Sequence, residues 1–125
     1  MRYSLLLHNV EPGEGDVPPD VIASFQAAYQ KYARSLADAG VLVSADVLQP
    51  SSVTTTVRLQ GGRLRVQDGP FADTKEQLAG AFVIDVPDLD AALAWAEQCP
   101  GLQYGVIEIR PSAVVFRDGA WQPPA

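Results

Sequence analysis

Apolar residues follow two different spacings along the chain, and each spacing predicts a type of element. Residues 3–9 form a short apolar run that predicts a buried strand. After Pro18 and Pro19, which favour the start of a helix, apolar residues recur every three or four positions and predict one helix of about twenty residues. Its apolar stripe consists of Val21, Ile22, Phe25, Tyr29, Tyr32 and Leu36. Gly40 follows at the position of a left-handed C-terminal cap.

Four further β-branched and apolar segments follow this helix. Residues 41–48 and residues 80–86 predict strands. Residues 54–59 and 63–67 lie on either side of Gly61-Gly62, a typical signal for a two-residue hairpin turn. The sequence therefore predicts a hairpin between two single strands.

A second helix is predicted after residue 87. Asp88 is a preferred helix-capping residue type, and Cys99-Pro100-Gly101 ends the helical pattern. The predicted buried stripe of this helix consists of Leu89, Leu93 and Ala96. Residues 104–110 predict the last core strand, and residues 114–117 predict a short strand before the Pro-rich end.

The order of elements is strand, helix, strand, hairpin, strand, helix, strand. Without the hairpin, it is the β-α-β-β-α-β plan of the α+β ferredoxin-like fold, in which two helices cover one sheet face. Successive side chains of Leu5-Leu6-Leu7 must point to opposite faces, so the strands are predicted to be apolar on both. Because a stable monomer rarely exposes a large apolar face, we expect a second copy to cover it in a two-fold homodimer.

Length and charge exclude several classes of protein. The 125 residues suggest a single domain. The net charge of −6 disfavours binding to nucleic acid or to an anionic membrane, both of which need clustered cations. Cys99 is the only cysteine, so no internal disulfide is possible. The first apolar run is too short for a signal peptide or a membrane span, and we therefore expect a cytoplasmic protein.

One segment carries a family resemblance. Asp68-Gly69-Pro70-Phe71, followed by Thr74-Lys75-Glu76, resembles the signature of the DGPF proteins, a branch of the YCII-related family. Further pieces that match in order are Met1-Arg2-Tyr3, Ala39-Gly40-Val41-Leu42, Leu48-Gln49-Pro50, Asp85-Val86-Pro87-Asp88-Leu89, Ala92-Leu93-Ala94-Trp95-Ala96 and Glu108-Ile109-Arg110-Pro111. The resemblance covers nearly the whole chain to Pro111. We therefore expect a YCII-related/DGPF domain at residues 1–111, with residues 112–125 as its C-terminal extension.

The resemblance implies a ferredoxin-like fold and a dimer whose two sheets pack into an α+β barrel, with a cleft at or near the interface. It also implies a bacterial protein whose gene is associated with extracytoplasmic-function sigma factors. Some members of the wider family are enzymes on small ring compounds, including a dehydrochlorinase of a chlorinated hydroxyquinol. That family often has a histidine on the first helix and an Asp-Pro after the second. This chain has Tyr29 and Cys99-Pro100 at these places, so a His–Asp pair does not carry over by position.

Two residues are candidate catalytic groups. His8 is the only histidine, and its imidazole suits proton transfer near neutral pH. Its alternative role is a strand-end histidine bonded to backbone or water. Asp68 is a carboxylate in a turn that Pro70 makes rigid, where it is placed to orient a partner or accept a proton. Alternatively, Asp68 stabilises the turn by bonding a downstream backbone N–H.

Four residues are candidate substrate-binding groups, and each has a structural alternative. Asp73, with Glu76 three residues later, has the spacing of a capping box and so predicts the start of a helix. Lys75 is placed to hold an anionic substrate. Alternatively, it is a solvated lysine or forms a salt bridge with Asp68. Phe71 and Tyr29 either line the cleft or pack in the interior.

Other features bear on partners and cofactors. Arg58, Arg63 and Arg65 lie on the predicted hairpin, as a basic face for an acidic partner or as an ordinary solvated face. One histidine and one cysteine cannot supply the usual zinc ligands, and no glycine-rich phosphate loop is present, so no metal or cofactor is expected.

The sequence supports three hypotheses about function. The first is a small-molecule protein, whose cleft at or near the dimer interface performs cofactor-free proton transfer or elimination on a small polar or cyclic compound, or only binds it. The alternative is a non-catalytic regulatory partner of an extracytoplasmic-function sigma factor, as the family association suggests. In the third, the loop of residues 68–76 is purely structural.

Overall fold

A computed structural model describes residues 1–13 and 15–124 of the chain. Glu14 and Ala125, the last residue of the predicted C-terminal extension, lie outside the described residues. The elements are β1 (Arg2–Asn9), α1 (Pro19–Asp38), β2 (Leu42–Val47), β3 (Thr55–Gln60), β4 (Arg63–Asp68), β5 (Gln77–Asp85), α2 (Leu89–Glu97), β6 (Gly105–Pro111), β7 (Val115–Arg117) and β8 (Ala120–Gln122). Short 3₁₀ turns span Ser51–Val53 and Pro100–Gln103.

The main sheet has four antiparallel strands in the order β2-β5-β1-β6. Each helix connects two strands of this sheet that do not pair directly with each other. This is the order of the ferredoxin-like α+β fold, and the predicted β-α-β-β-α-β plan with an inserted hairpin is confirmed.

The core lies between this sheet and the two helices. Along β1, alternate residues are buried, because their side chains point to the helix-covered face. The fully buried side chains Leu5, Leu36 and Ile84 come from β1, α1 and β5, so one cluster ties helix and sheet together. Tyr32 of α1 adds a hydrogen bond, donated by its Oη to the backbone oxygen of Trp95 at 2.9 Å.

Helix α1 buries only part of its predicted stripe. Pro18 precedes it in extended conformation, and Gly40 beyond its end has a φ of 73°, as predicted for a left-handed cap. Tyr32 and Leu36 are buried, whereas Val21 and Ile22 are exposed. The N-terminal half of the helix therefore presents apolar side chains that the sheet does not cover.

The predicted stripe of α2 is wrong for its two leucines. Asp88 caps the helix as predicted, since its Oδ1 accepts a hydrogen bond from the backbone N–H of Ala91 at 2.9 Å. Ala92 and Ala96 are buried, whereas Leu89 and Leu93 are about half exposed. The buried face of α2 is therefore formed by small alanine side chains, and the two leucines lie outside it.

The sheet face opposite the helices is less apolar than predicted. Leu6, Ala81 and Val83 occupy its centre, as strand alternation requires. Polar residues lie at its ends and edges, because the same alternation places Arg2, Ser4, His8, Ser44, Asp46, Glu108 and Arg110 on this face. Leu78 and Val106 also lie on this face, because both pair with His8. The expected apolar face is therefore confirmed for part of the sheet and wrong for its charged ends and edges, which a pattern of central residues does not reveal.

The predicted hairpin is confirmed, and it stands apart from the main sheet. Gly61 and Gly62 both have positive φ angles, which is the requirement of a type I′ turn. In the described part of the chain, β3 and β4 pair only with each other. A hydrogen bond from the Gly69 N–H to the Thr54 carbonyl, at 2.7 Å, closes the base of the hairpin.

The capping-box interpretation of residues 73–76 is wrong, because strand β5 rather than a helix follows. Thr74 donates from Oγ1 to the Glu76 carbonyl at 2.9 Å, and the Gln77 side chain donates to the Thr74 carbonyl at 2.9 Å. These local bonds hold a turn, and β5 begins three residues before the predicted strand.

No helix in the described ranges is long and apolar enough to cross a membrane.

Candidate functional site

A cavity of about 1230 Å³ lies between the uncovered half of α1 and one end of the main sheet. Helix α1 forms one wall, β2 and β5 form the opposite wall, and the 3₁₀ turn at Pro100–Gln103 closes one end. The lining side chains that matter most here are Ile22, Phe25, Tyr29, Val47, Phe82 and Tyr104. The cavity is therefore predominantly aliphatic and aromatic.

Two tyrosine hydroxyls meet in this cavity. Oη of Tyr29 and Oη of Tyr104 are 2.7 Å apart, a hydrogen bond in which either can be the donor. Burial, together with this hydrogen bond, raises the pKa of Tyr29 far above its usual value. The Tyr29 hydroxyl is consequently neutral at physiological pH and can donate a proton to a hydrogen bond.

Aromatic contacts hold both tyrosine rings in place. The ring of Phe25 meets Tyr104 edge to face, with centroids 4.9 Å apart. Tyr29 stacks with Phe82, with centroids 6.3 Å apart. Since Phe82 is buried in the core, the tyrosine pair rests on a rigid support.

A glycine makes room for the pair. A Cβ atom added at Gly101 would lie 2.6 Å from Oη of Tyr29 and 3.2 Å from Cδ2 of Leu7. Real Cβ atoms essentially never approach an oxygen so closely, so the position of the Tyr29 hydroxyl depends on glycine at this point of the 3₁₀ turn.

The cavity carries little charge. Among the described lining residues, His8 and Asp46 are the only ionisable residues besides the two tyrosines, and no lysine or arginine is present. Gln26 and Gln30 of α1 add neutral hydrogen-bonding groups. A cavity without a cation offers no counter-charge to an anionic ligand and favours a neutral one.

Glu11 ties together two loops that border the cavity. Its Oε2 accepts a hydrogen bond from the Ser51 N–H at 2.7 Å, and its Oε1 accepts a second from the Ser51 hydroxyl. The first loop follows β1 and contributes Pro12, and the second follows β2 and contributes Pro50 to the lining. This contact therefore ties the loop after β1 to the loop after β2.

His8 borders the cavity at the end of β1, but its imidazole contacts the other side of the sheet. Nε2 lies 2.7 Å from Oε1 of Glu108 on β6, at ion-pair distance but without the alignment of a hydrogen bond. Leu7, the preceding residue, points into the core, so alternation directs the imidazole to the open face. The ring is therefore separated from the Tyr29 hydroxyl by the sheet.

The other predicted site residues lie away from the cavity. Asp68 ends β4, and Phe71, Asp73 and Lys75 lie in the turn that follows. All four are exposed and none lines the cavity. The described residues show no ion pair between Asp68 and Lys75. Of the predicted site residues, Tyr29 and His8 at the end of β1 thus border the cavity, whereas residues 68–75 do not.

Sequence reasoning missed Tyr104, Phe25 and Gly101 as parts of a site. Tyr104 was the first residue of a predicted strand, Phe25 was assigned to the helix stripe, and Gly101 was a helix stop. One signal was present in the stripe of α1, which places Phe25 and Tyr29 on the same face of the helix. The pairing of residues 29 and 104 has no signal in local spacing.

Among the described residues, no cluster of three or more histidine, cysteine or acidic side chains is arranged to hold a metal ion. Among the described lining residues, only His8 and Asp46 carry groups that zinc prefers, and the other polar side chains are hydroxyls and amides.

Comparisons with known proteins place the chain in a family. Residues 1–114 match the model of the YCII-related domain. An uncharacterized protein of Rhizobium meliloti (strain 1021) is 34% identical over 120 residues, which cover 91% of this chain and 94% of that protein. The domain match includes the main sheet, both helices and the hairpin, and the match to the relative covers most of the chain. The chain therefore belongs to the YCII-related domain family.

Proposed function

We propose that this protein binds a small neutral organic molecule with a ring, in the cavity between α1 and the sheet. The observation that carries the proposal is the tyrosine hydroxyl pair inside an otherwise apolar cavity. Cavities of this kind, with few polar groups in fixed positions, are typical of small-molecule sites.

The hydrogen-bonding capacity of the pair defines the polar group of the ligand. Each hydroxyl has one proton, and the bond between Tyr29 and Tyr104 uses one of the two. The second proton remains to be donated, and unused lone pairs remain to accept. A ligand hydroxyl or carbonyl oxygen satisfies this arrangement, while Phe25 and Phe82 contact its apolar ring.

Binding is favoured over proton abstraction by the groups that face the cavity. A tyrosine with a strongly raised pKa is a hydrogen-bond donor at neutral pH rather than a base. The imidazole of His8, the better base, lies against Glu108 on the other side of the sheet. We therefore assign hydrogen bonding to the tyrosines and propose no catalytic role for His8 or Asp68.

A thermal-shift screen with phenols and cyclic ketones tests this proposal. For a compound that stabilises the wild type, Tyr29→Phe should weaken binding by about 2- to 10-fold, because one net hydrogen bond is worth about 0.5–1.5 kcal/mol. Tyr104→Phe should act in the same direction. Asp68→Ala is the control, since Asp68 is exposed and outside the cavity. Equal affinity for the wild type and a variant lacking both hydroxyls would contradict the proposal.

A further inference from the structure

The hairpin of β3 and β4 carries three arginines on one face. Arg58 pairs directly with Arg65, and Arg63 lies two residues before Arg65 on the same strand, so strand alternation places all three side chains on one side of the hairpin. Asp68, the one acidic residue of the hairpin, falls on the opposite side by the same rule. We call Arg58, Arg63 and Arg65 the arginine face.

The arginine face has no counter-charge within the described chain. Among the described residues, none of its three guanidinium groups forms an ion pair or a hydrogen bond. Like charges directly across two strands are destabilising, so the pair of Arg58 and Arg65 costs free energy in the unbound chain. A carboxylate between these side chains removes that repulsion, and guanidinium groups bind carboxylates through two parallel N–H···O bonds. The face is therefore suited to closely spaced carboxylates.

The same hairpin has an edge to which another strand can add. Within the described residues, β3 and β4 pair only with each other, and all six residues of β4 are exposed. The bond from the Gly69 N–H to the Thr54 carbonyl sets the alternation of the ladder, so the backbone groups of Leu64 and Val66 point away from β3. β4 contains neither a proline nor a bulge, two features that block pairing at an edge. Its backbone can therefore pair with an extended peptide.

We propose that the edge of β4 binds an extended segment of another protein, in which acidic residues alternate with aliphatic ones. The side chains of an added strand alternate between the two faces of a sheet. The acidic side chains then reach the arginine face, and the aliphatic ones lie beside Leu64 and Val66, which are largely exposed on the other face. Backbone hydrogen bonds supply affinity, and the arginines select an acidic segment.

Charge disfavours the other occupants of this edge. A second hairpin of the same kind brings its own three arginines, which repel those of the first. A long polyanion such as nucleic acid also meets the rest of the chain, which has six basic and fourteen acidic residues and so a net charge of −8. A short acidic segment avoids both repulsions, because it contacts only the hairpin.

The probe is a fluorescent peptide as long as β4, in which glutamate and valine alternate. Its binding to the whole chain is followed by fluorescence anisotropy at low and at high salt. The variant Arg63→Gln/Arg65→Gln removes two charges of the arginine face and leaves the backbone of the edge intact. The matched control, Lys31→Gln/Arg34→Gln, removes two charges from exposed positions of α1. The same peptide with methylated backbone nitrogens tests the strand pairing itself.

The expected result is saturable binding that weakens with salt, as contacts between exposed charges do. The arginine variant should bind roughly 5- to 30-fold more weakly, because two exposed ion pairs are lost, and the control should bind like the wild type. Methylation of the peptide backbone should abolish binding. The proposal is overturned by an absence of saturable binding at low salt, by equal affinity for the arginine variant, or by unchanged binding of the methylated peptide.

Two further results would identify a different occupant and would also overturn the proposal. Single-stranded DNA of the same charge that binds more tightly than the peptide would show that the arginine face holds phosphates. A fall in the molar mass of the protein on Arg63→Gln/Arg65→Gln, measured by sedimentation equilibrium, would show that this face contacts a second copy.

This proposal is independent of the proposed ligand. The arginine variant leaves Tyr29 and Tyr104 untouched, and no residue of β4 lines the cavity. Loss of peptide binding and loss of ligand binding are therefore separate outcomes.

Discussion

Replacing Gly101 by alanine tests whether the Tyr29 hydroxyl is held where the structure places it. The added Cβ would lie 2.6 Å from that oxygen and 3.2 Å from Cδ2 of Leu7. The tyrosine ring must therefore turn away, and its hydrogen bond with Tyr104 is lost.

The cost of this change follows from three contributions. A lost hydrogen bond removes about 1 kcal/mol, and a ring forced from its preferred rotamer costs about 1 kcal/mol. Alanine also lowers the conformational entropy of the unfolded chain, which offsets about 0.5 kcal/mol of this destabilisation. Gly101→Ala should thus lower the free energy of unfolding by about 1–2 kcal/mol. At this chain length, the melting temperature should fall by about 4–8 °C.

A double-mutant cycle with Tyr29→Phe identifies the cause. Phenylalanine lacks the oxygen that the new Cβ would meet, and the next neighbour, Leu7, is a flexible side chain. In the Gly101→Ala background, Tyr29→Phe should therefore be neutral or stabilising, whereas in the wild type it costs about 1 kcal/mol. Urea unfolding of the four proteins measures the coupling. Additive effects, or a neutral Gly101→Ala, would refute the proposed position of the hydroxyl.

Two further predictions concern pH and the loop contact. Burial raises the pKa values of Tyr29 and Tyr32 above the usual 10, so the folded state retains their protons longer. The contribution of these two tyrosines to stability is complete below about pH 10 and is lost as pH rises above it. Absorbance at 295 nm should show two of the four tyrosines ionising only on unfolding. Smooth titration of all four tyrosines in the folded protein would contradict this. Glu11→Ala removes both bonds to Ser51 and should lower the free energy of unfolding by about 1–3 kcal/mol in urea, with a smaller loss for Glu11→Gln. Equal stability of all three proteins would show that the contact does not hold the loops.

The parts of the fold predicted correctly depend on local rules. Gly61 and Gly62 adopt positive φ angles, which other residues adopt only at a cost, and these angles specify the turn. The hairpin could therefore be predicted from the two glycines alone. Asp88 caps its helix through its own side chain. The alternation of helices and strands then left one topology, because the ferredoxin-like plan is a compact solution for that order.

The failed predictions show where local rules stop. Asp73 and Glu76 have the spacing of a capping box, yet the chain continues into β5, whose pairing with β1 and β2 outweighs a local cap. Leu89 and Leu93 were expected to be buried, but α2 buries Ala92 and Ala96 and leaves both leucines about half exposed. Both outcomes depend on packing between elements far apart in sequence.

The candidate site was harder to predict than the fold. The segment that revealed the family, residues 68–76, lies outside the cavity of its own chain. Tyr29 was recognised as a candidate, but its partner Tyr104 is 75 residues away and meets it only through the 3₁₀ turn after α2. Such a pair becomes visible only when the sheet order is known.

The most direct test of the central claim is a phenol titration followed by backbone amide NMR. Phenol supplies one ring and one hydroxyl, which is the smallest probe of the proposed ligand class. The account predicts saturable shifts at the amides of Gly101 and Tyr104 and along the N-terminal half of α1, with little change at residues 68–75. Shifts centred on residues 68–75, or no saturable shifts around the tyrosine pair, would contradict it.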